Sequence, residues 1–173
     1  MSTALSDVAV EIRGPFAGVD VGGRQKGFHC AVLDESDHVV LSRQPTPASV
    51  VDWLVGSGVT LVAIESPRSP APAGHKSRDG ERELVAAGVC NLRYTPDRAS
   101  LDANPRYYEW IEHGLELFDA CDAAGIAAIE CFPTASWSRW AGPRGATARA
   151  AWYVMFNRAS GSNLESGYLA GIF

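Results

Sequence analysis

The sequence is poor in the residues that build metal clusters and covalent staples. Its four cysteines, Cys30, Cys90, Cys121 and Cys131, are widely spaced, with no CxxC pair and no zinc-type spacing. That argues against a zinc ribbon or a disulfide framework, and reduced thiols in a cytoplasmic protein are the expectation. The four histidines, His29, His38, His75 and His113, are scattered and form no ligand cluster. No apolar run reaches the roughly 18 residues that span a bilayer, and no secretory segment is read. Three catalytic signatures are also missing. Without GxxxxGK[ST] there is no P-loop, and "GVDVGG" is not the GxGxxG dinucleotide fingerprint. Ser66 and Ser69 lack the GxSxG elbow of serine hydrolases. The formal charge of −5 does not advertise a surface made for nucleic acid, although it leaves room for a local basic cleft.

What is present suits one domain. The chain has 173 residues, 46% of them hydrophobic, enough for a core of its own. Residues 1–15 read as an N-terminal arm, 16–157 as the domain and 158–173 as an atypical tail. Phe16 to Val21, Gly27 to Leu33 and His38 to Ser42 read as three strands of an antiparallel meander, with "DESD" as a turn. "TPASVVDWLVGSG", 46–58, reads as a helix capped by Thr46 or Ser49. "VTLVAIES", 59–66, is a continuous apolar run, as in a strand buried on both faces of a parallel sheet. After the proline-rich "PRSPAPAG" come a short helix at 79–88, a strand at 89–95, a long helix at 105–125 and a last strand at 126–133. The expected order is β-β-β-α-β-α-β-α-β, an α/β fold with a mixed sheet covered by helices.

Three of these strands end in an acid. Asp20 closes the first, Glu65 the fourth, and Glu130 lies near the end of the last. Ligands in open α/β sheets sit beyond the carboxyl ends of the strands. Were the first and fourth strands parallel neighbours, Asp20 and Glu65 would sit about 4.8 Å apart. Such carboxylates repel unless a cation lies between them, and Mg²⁺ or Mn²⁺ prefers this kind of oxygen ligand. A cation held there can activate water for attack on a phosphodiester. The plainer reading is a solvated acid where a strand leaves the core. Glu130 is the weakest of the three, because strand faces alternate and its side chain is free to point the other way. The backbone amides of Gly22 and Gly23 offer a phosphate cradle or an ordinary tight turn. Arg24, Lys26, Arg68, Lys76, Arg78 and Arg82 are the candidate phosphate rim, with Lys26, Arg68 and Arg78 foremost. Tyr107, Tyr108, Trp110, Trp137 and Trp140 offer base-stacking surfaces, or simply core packing.

Three stretches together, "GVDVGGRQKGFHCAVLD", "VAIESPRSPAP" with "SRDGERELVAAGV", and "AAIECFPTASW", resemble the DUF429 family over about residues 16–140. That family is described as predicted nucleases with an RNase H-like fold. The resemblance implies a divalent-metal site and phosphodiester hydrolysis. It matches the family's first-strand aspartate to Asp20, the next strand-end acid to Glu65, the Arg/acid pair to Arg78 with Asp79 or Glu81, and the last glutamate to Glu130. It also implies a closing helix bearing one more acid. Nothing after Trp140 resembles that helix, and the only acid left is Glu165. A sheet face bared by its loss invites dimerisation. The expectation is therefore a Mg²⁺- or Mn²⁺-dependent nuclease or phosphodiester hydrolase acting on nucleic acid or nucleotide. The alternatives are an inactive RNase H-like binding module and an actin-like nucleotide phosphotransferase suggested by "DVGG".

Overall fold

The computed structural model describes residues 14–142 apart from positions 35 and 37. The sequence expectations for the arm, the tail and the closing helix lie outside the described residues. So does the side chain of Trp140.

The chain opens with the expected meander: β1 (Phe16–Val21), β2 (Phe28–Leu33) and β3 (Val39–Gln44), each antiparallel to the one before. Helix α1 (Pro47–Gly56) then carries the chain back to β4 (Leu61–Glu65), which pairs parallel with β1. Helices α2 (Asp79–Ala86), α3 (Arg98–Ala103) and α4 (Glu109–Ala123) follow. Strand β5 (Ala127–Glu130) pairs parallel with β4, and α5 (Pro133–Ala141) ends the described chain. The five strands lie in the order β3-β2-β1-β4-β5. The fold is therefore α/β with a mixed sheet, as the sequence predicts. No helix among the described residues is long and apolar enough to cross a membrane.

Alternation sorts the sheet into two faces. On β1, Ala17, Val19 and Val21 are buried while Gly18 and Asp20 are only partly so. The buried set joins Val62 and Ile64 of β4, Val50 and Leu54 of α1, and Leu117, Phe118 and Cys121 of α4 in one core. Both helices thus cover the same face. Strand β4 alternates as well, so its apolar run is not buried equally on both sides.

Local chemistry places the helix ends. Thr46 caps α1 in a capping box with Ser49, and Pro47 occupies the first turn. Helices α1 and α4 stop alike: Gly58 and Gly125 take positive φ (70° and 72°), and the next amides, of Val59 and Ile126, return to the carbonyls of Leu54 and Cys121. Val59 and Ile126 are buried, so each motif feeds the chain straight into the core before the next strand.

Two expectations fail. Residues 89–95 form no strand. Val89 completes the end of α2 by bonding the Leu84 carbonyl, and the Thr95 amide donates to the Glu81 carboxylate at 3.0 Å. These backbone groups have partners other than a ladder, and β5 already occupies the free edge of β4. The sequence reading also misses α3, a short helix capped by the Asp97 side chain, which accepts from the Ser100 amide. The long helix starts at Glu109 rather than at 105, so Tyr107 and Tyr108 sit in the turn before it.

Gly114, which appears in the sequence as a flaw in α4, marks its closest approach to the sheet. A Cβ there would land on the Ser66 side chain just past β4. Gly114→Ala is expected to destabilise the protein by about 1–3 kcal/mol through overpacking. Urea unfolding of the single variant and of the Gly114→Ala/Ser66→Gly pair checks this, with the pair regaining part of the loss.

Candidate functional site

The pairing register builds a row of side chains across one face of the sheet. Asp20 is the Cα partner of His29 on β2 and of Glu65 on β4, and His29 is the partner of Arg43 on β3. Asp20 and Glu65 are thus adjacent at the carboxyl ends of two parallel strands, as the sequence predicts for them. They stand on the face opposite α1 and α4. The Asp20 side chain is 25% exposed, and its Oδ2 lies 3.4 Å from His29 Nδ1. That Nδ1 is buried, and the contact lies outside good hydrogen-bond geometry. Burial raises the Asp20 carboxyl above its ordinary pKa, against the opposing pull of His29 and Lys26.

The turn after Asp20 is held by its own backbone and by α4. The Gly22 amide donates to Gly27, and the Lys26 and Gly27 amides donate to Gly23, all at 2.9 Å. The Arg24 amide donates to Glu109 Oε2 at 3.0 Å. A Cβ on Gly23 would meet only that mobile carboxylate tip, at 2.5 Å, whereas one on Gly22 would stand 2.8 Å from the Gly27 carbonyl oxygen, which is backbone and cannot move aside, so Gly22 is the position that requires glycine. His113 bonds the Gly22 carbonyl at 2.9 Å, and since a carbonyl only accepts, Nδ1 carries the hydrogen. Arg24 pairs with Glu116 at 2.6 Å. Glu109, His113 and Glu116 recur at i, i+4 and i+7, one stripe of α4. The amides of Gly22, Arg24, Lys26 and Gly27 therefore have internal partners, as in an ordinary tight turn. Lys26 stays exposed beside Asp20.

Glu130 stands elsewhere. Its register partner is Ile64, one residue short of Glu65, so alternation turns its side chain to the α4 face. There Arg78 grips the carboxylate through both terminal nitrogens, with Nη1 to Oε2 at 2.7 Å. The Arg68 amide adds a bond of 2.9 Å. The structure brings Asp20 and Glu65 together and leaves Glu130 apart. The two arginines read from the sequence as phosphate holders have protein partners. Arg78 also bonds Glu81, and Arg68 pairs with Asp122 at 2.9 Å, donates to the Ala128 carbonyl and lies over the Phe118 ring. Burial alone would lower the Arg78 pKa, but bonds to Glu130 and Glu81 outweigh it and raise it. Asp79 pairs with Arg82 in the first turn of α2. Ser66 Oγ is buried against α4, and Trp137 is buried as well.

Sequence reasoning missed His29, Arg43, Glu109 and His113. A signal for His29 exists: a hairpin centred on Arg24 and Gln25 pairs residue 20 with residue 29. Nothing local announces the α4 residues, which meet the turn from some 85 to 92 positions away.

Two carboxylates on neighbouring strands fit a hydrated Mg²⁺ or Mn²⁺ ion, which takes one or two carboxylates and completes its shell with water or phosphate oxygens. Among the described residues no group of three acid, imidazole or thiol side chains is already arranged to hold a metal. Cys30 and Cys131 are pushed up to about 12 by burial and nearby carboxylates, which leaves both thiols inert as nucleophiles or ligands. No family model, no curated protein and no solved structure matches the chain.

Two expectations follow from this geometry. Arg78→Met strands the buried Glu81 and the Glu130 carboxylate, and is expected to cost about 3–5 kcal/mol in chemical denaturation. Asp20→Asn is expected to do the reverse. A carboxyl whose folded pKa is raised costs stability in full above that pKa, and the cost fades as pH falls toward the unfolded value near 3.8. The metal-free variant should therefore melt higher than wild type at pH 7, with the gap closing by about pH 4. Melting curves across that range check the sign.

Proposed function

We propose that this chain is an RNase H-like domain that binds a divalent cation, Mg²⁺ or Mn²⁺, through Asp20 and Glu65 and hydrolyses phosphodiester bonds in a nucleic acid or nucleotide. The observation that carries the reading is their register pairing on one sheet face at the carboxyl ends of adjacent parallel strands. An antiparallel meander followed by two parallel strands, in the order β3-β2-β1-β4-β5, supports the fold that the DUF429 resemblance implies.

The cation would supply charge to polarise a phosphate and lower the pKa of a water. The protein's part is positional. Strand pairing holds the two carboxylates at one spacing, and burial keeps Asp20 short of solvent. Lys26 supplies the exposed positive charge beside them. Arg68, Arg78 and Glu130 keep a scaffolding role, tying the loop after β4 and the start of α2 to β5. A cytoplasmic location is supported by four free cysteines. A second copy of the chain is the candidate partner for the corner of the sheet face opposite α1 at Leu33 and Val39, both 40% exposed and paired at the strand ends away from Asp20 and Glu65.

A second reading, a binding module without catalysis, draws on the absence of a third ligand among the described residues. Calorimetric titration of Mn²⁺ separates the two. Binding is expected in wild type, lost in Asp20→Asn, and kept within about twofold in Glu130→Gln, whose carboxylate faces the other way. Metal-dependent cleavage of single-stranded DNA or RNA supports the hydrolase. Binding without cleavage favours the module, and a folded wild type with no Mn²⁺ affinity overturns the cation site.

A further inference from the structure

A cavity of about 540 Å³ lies between α2, the end of β5 and α5, and neither Asp20 nor Glu65 lines it. That volume falls in the range of small-molecule sites. Its most buried lining is the Arg78 guanidinium held between Glu81 and Glu130, three charges that already satisfy one another. Leu84 and Val89 on one side and Phe132 on the other, all half-buried, give it apolar walls.

Two charges in the lining are not spoken for. Glu83 comes from α2 and Arg139 from the last turn of α5, and both are exposed. Neither side chain makes an ion pair or a hydrogen bond among the described residues. They are opposite in sign and share one cavity, yet they do not pair with each other. The cavity thus offers a free carboxylate on one wall, a free guanidinium on the other, and apolar surface between them.

We propose that this cavity binds a short peptide with free ends, a dipeptide with apolar side chains. Its ammonium group pairs with Glu83 and its carboxylate with Arg139, while its side chains lie against Leu84, Val89 and Phe132. An extended dipeptide holds its two ends about 7 Å apart, which suits two groups that do not reach one another. The carboxylate of such a ligand matches the planar donor fork of a guanidinium. The Arg78 cluster beneath has no charge to spare for either end, so it serves as a fixed floor. This site stands apart from the cation reading and does not depend on it.

The probe is leucyl-phenylalanine, titrated by calorimetry into the full chain, with its N-acetyl and C-terminal amide forms alongside. The free dipeptide is expected to bind at least about tenfold more tightly than either blocked form, because each block removes one charge-assisted contact. Glu83→Gln should weaken the free dipeptide about tenfold and leave the N-acetyl form within about twofold, since that form has no ammonium to lose. Arg139→Gln should weaken the free dipeptide equally and spare the amide form. Both positions are exposed, so both variants should melt with wild type. The blocked peptides test the same two contacts on wild type alone, whatever the variants do. If the free dipeptide does not bind, the inference falls. If it binds but one end or neither matters, the cavity takes a simple ion or an apolar body, and the peptide reading is overturned.

Discussion

The parallel ladder between β1 and β4 sets the position of everything else that matters in this molecule. It brings the strand-end acids of two segments 45 residues apart in sequence (20 to 65) into one register. It also fixes which face each looks toward, because a slip of one residue would turn Asp20 into the core and Val19 out of it. The ladder forms because both strands have buried apolar residues at alternate positions, Val19 and Val21 on one and Val62 and Ile64 on the other. Helices α1 and α4 pack over that shared stripe. The same alternation leaves the opposite face free to carry polar chemistry.

Much of this is legible in the sequence, and the failures share a cause. Strands β1, β2 and β4 and helix α1 are readable because apolar periodicity, a Thr46 cap and a Gly58 stop act over a few residues. The pairing of Asp20 with Glu65 follows once β4 is taken as parallel to β1. The strand expected at 89–95 fails because a long-range acceptor, Glu81, satisfies the backbone where a neighbouring strand would have been needed. Glu130 takes the other face, the option that strand alternation leaves open, because its register partner is Ile64, a detail that composition cannot carry. The arginines are misread because a guanidinium near strand ends looks alike in sequence whether it faces solvent or a partner such as Asp122.

Glu81 shows how such a partner shapes the scaffold. It is 2% exposed, and its carboxylate accepts from the Arg78 side chain, the Arg78 amide and the amide and hydroxyl of Thr95. A buried charge with that many donors is stable only as a complete set. Arg78 extends the set to Glu130 on β5. The irregular stretch after α2 is thereby fastened to the sheet by charge, whereas α1 and α4 are held to it mainly through the apolar core.

The grip of α4 on the turn after Asp20 also orders events in time. Residues of that turn wait for partners 85 to 92 positions downstream, Glu109 and Glu116, while the β1–β2 hairpin closes locally. Loop closure on that scale comes late relative to local pairing. During synthesis the meander can assemble as it leaves the ribosome, with its acidic tip still unanchored. Only when α4 has emerged and docked does the tip acquire its final shape. A nascent chain halted before residue 109 would thus lack Glu109, His113 and Glu116, and the turn after Asp20 would be held by its own backbone bonds alone.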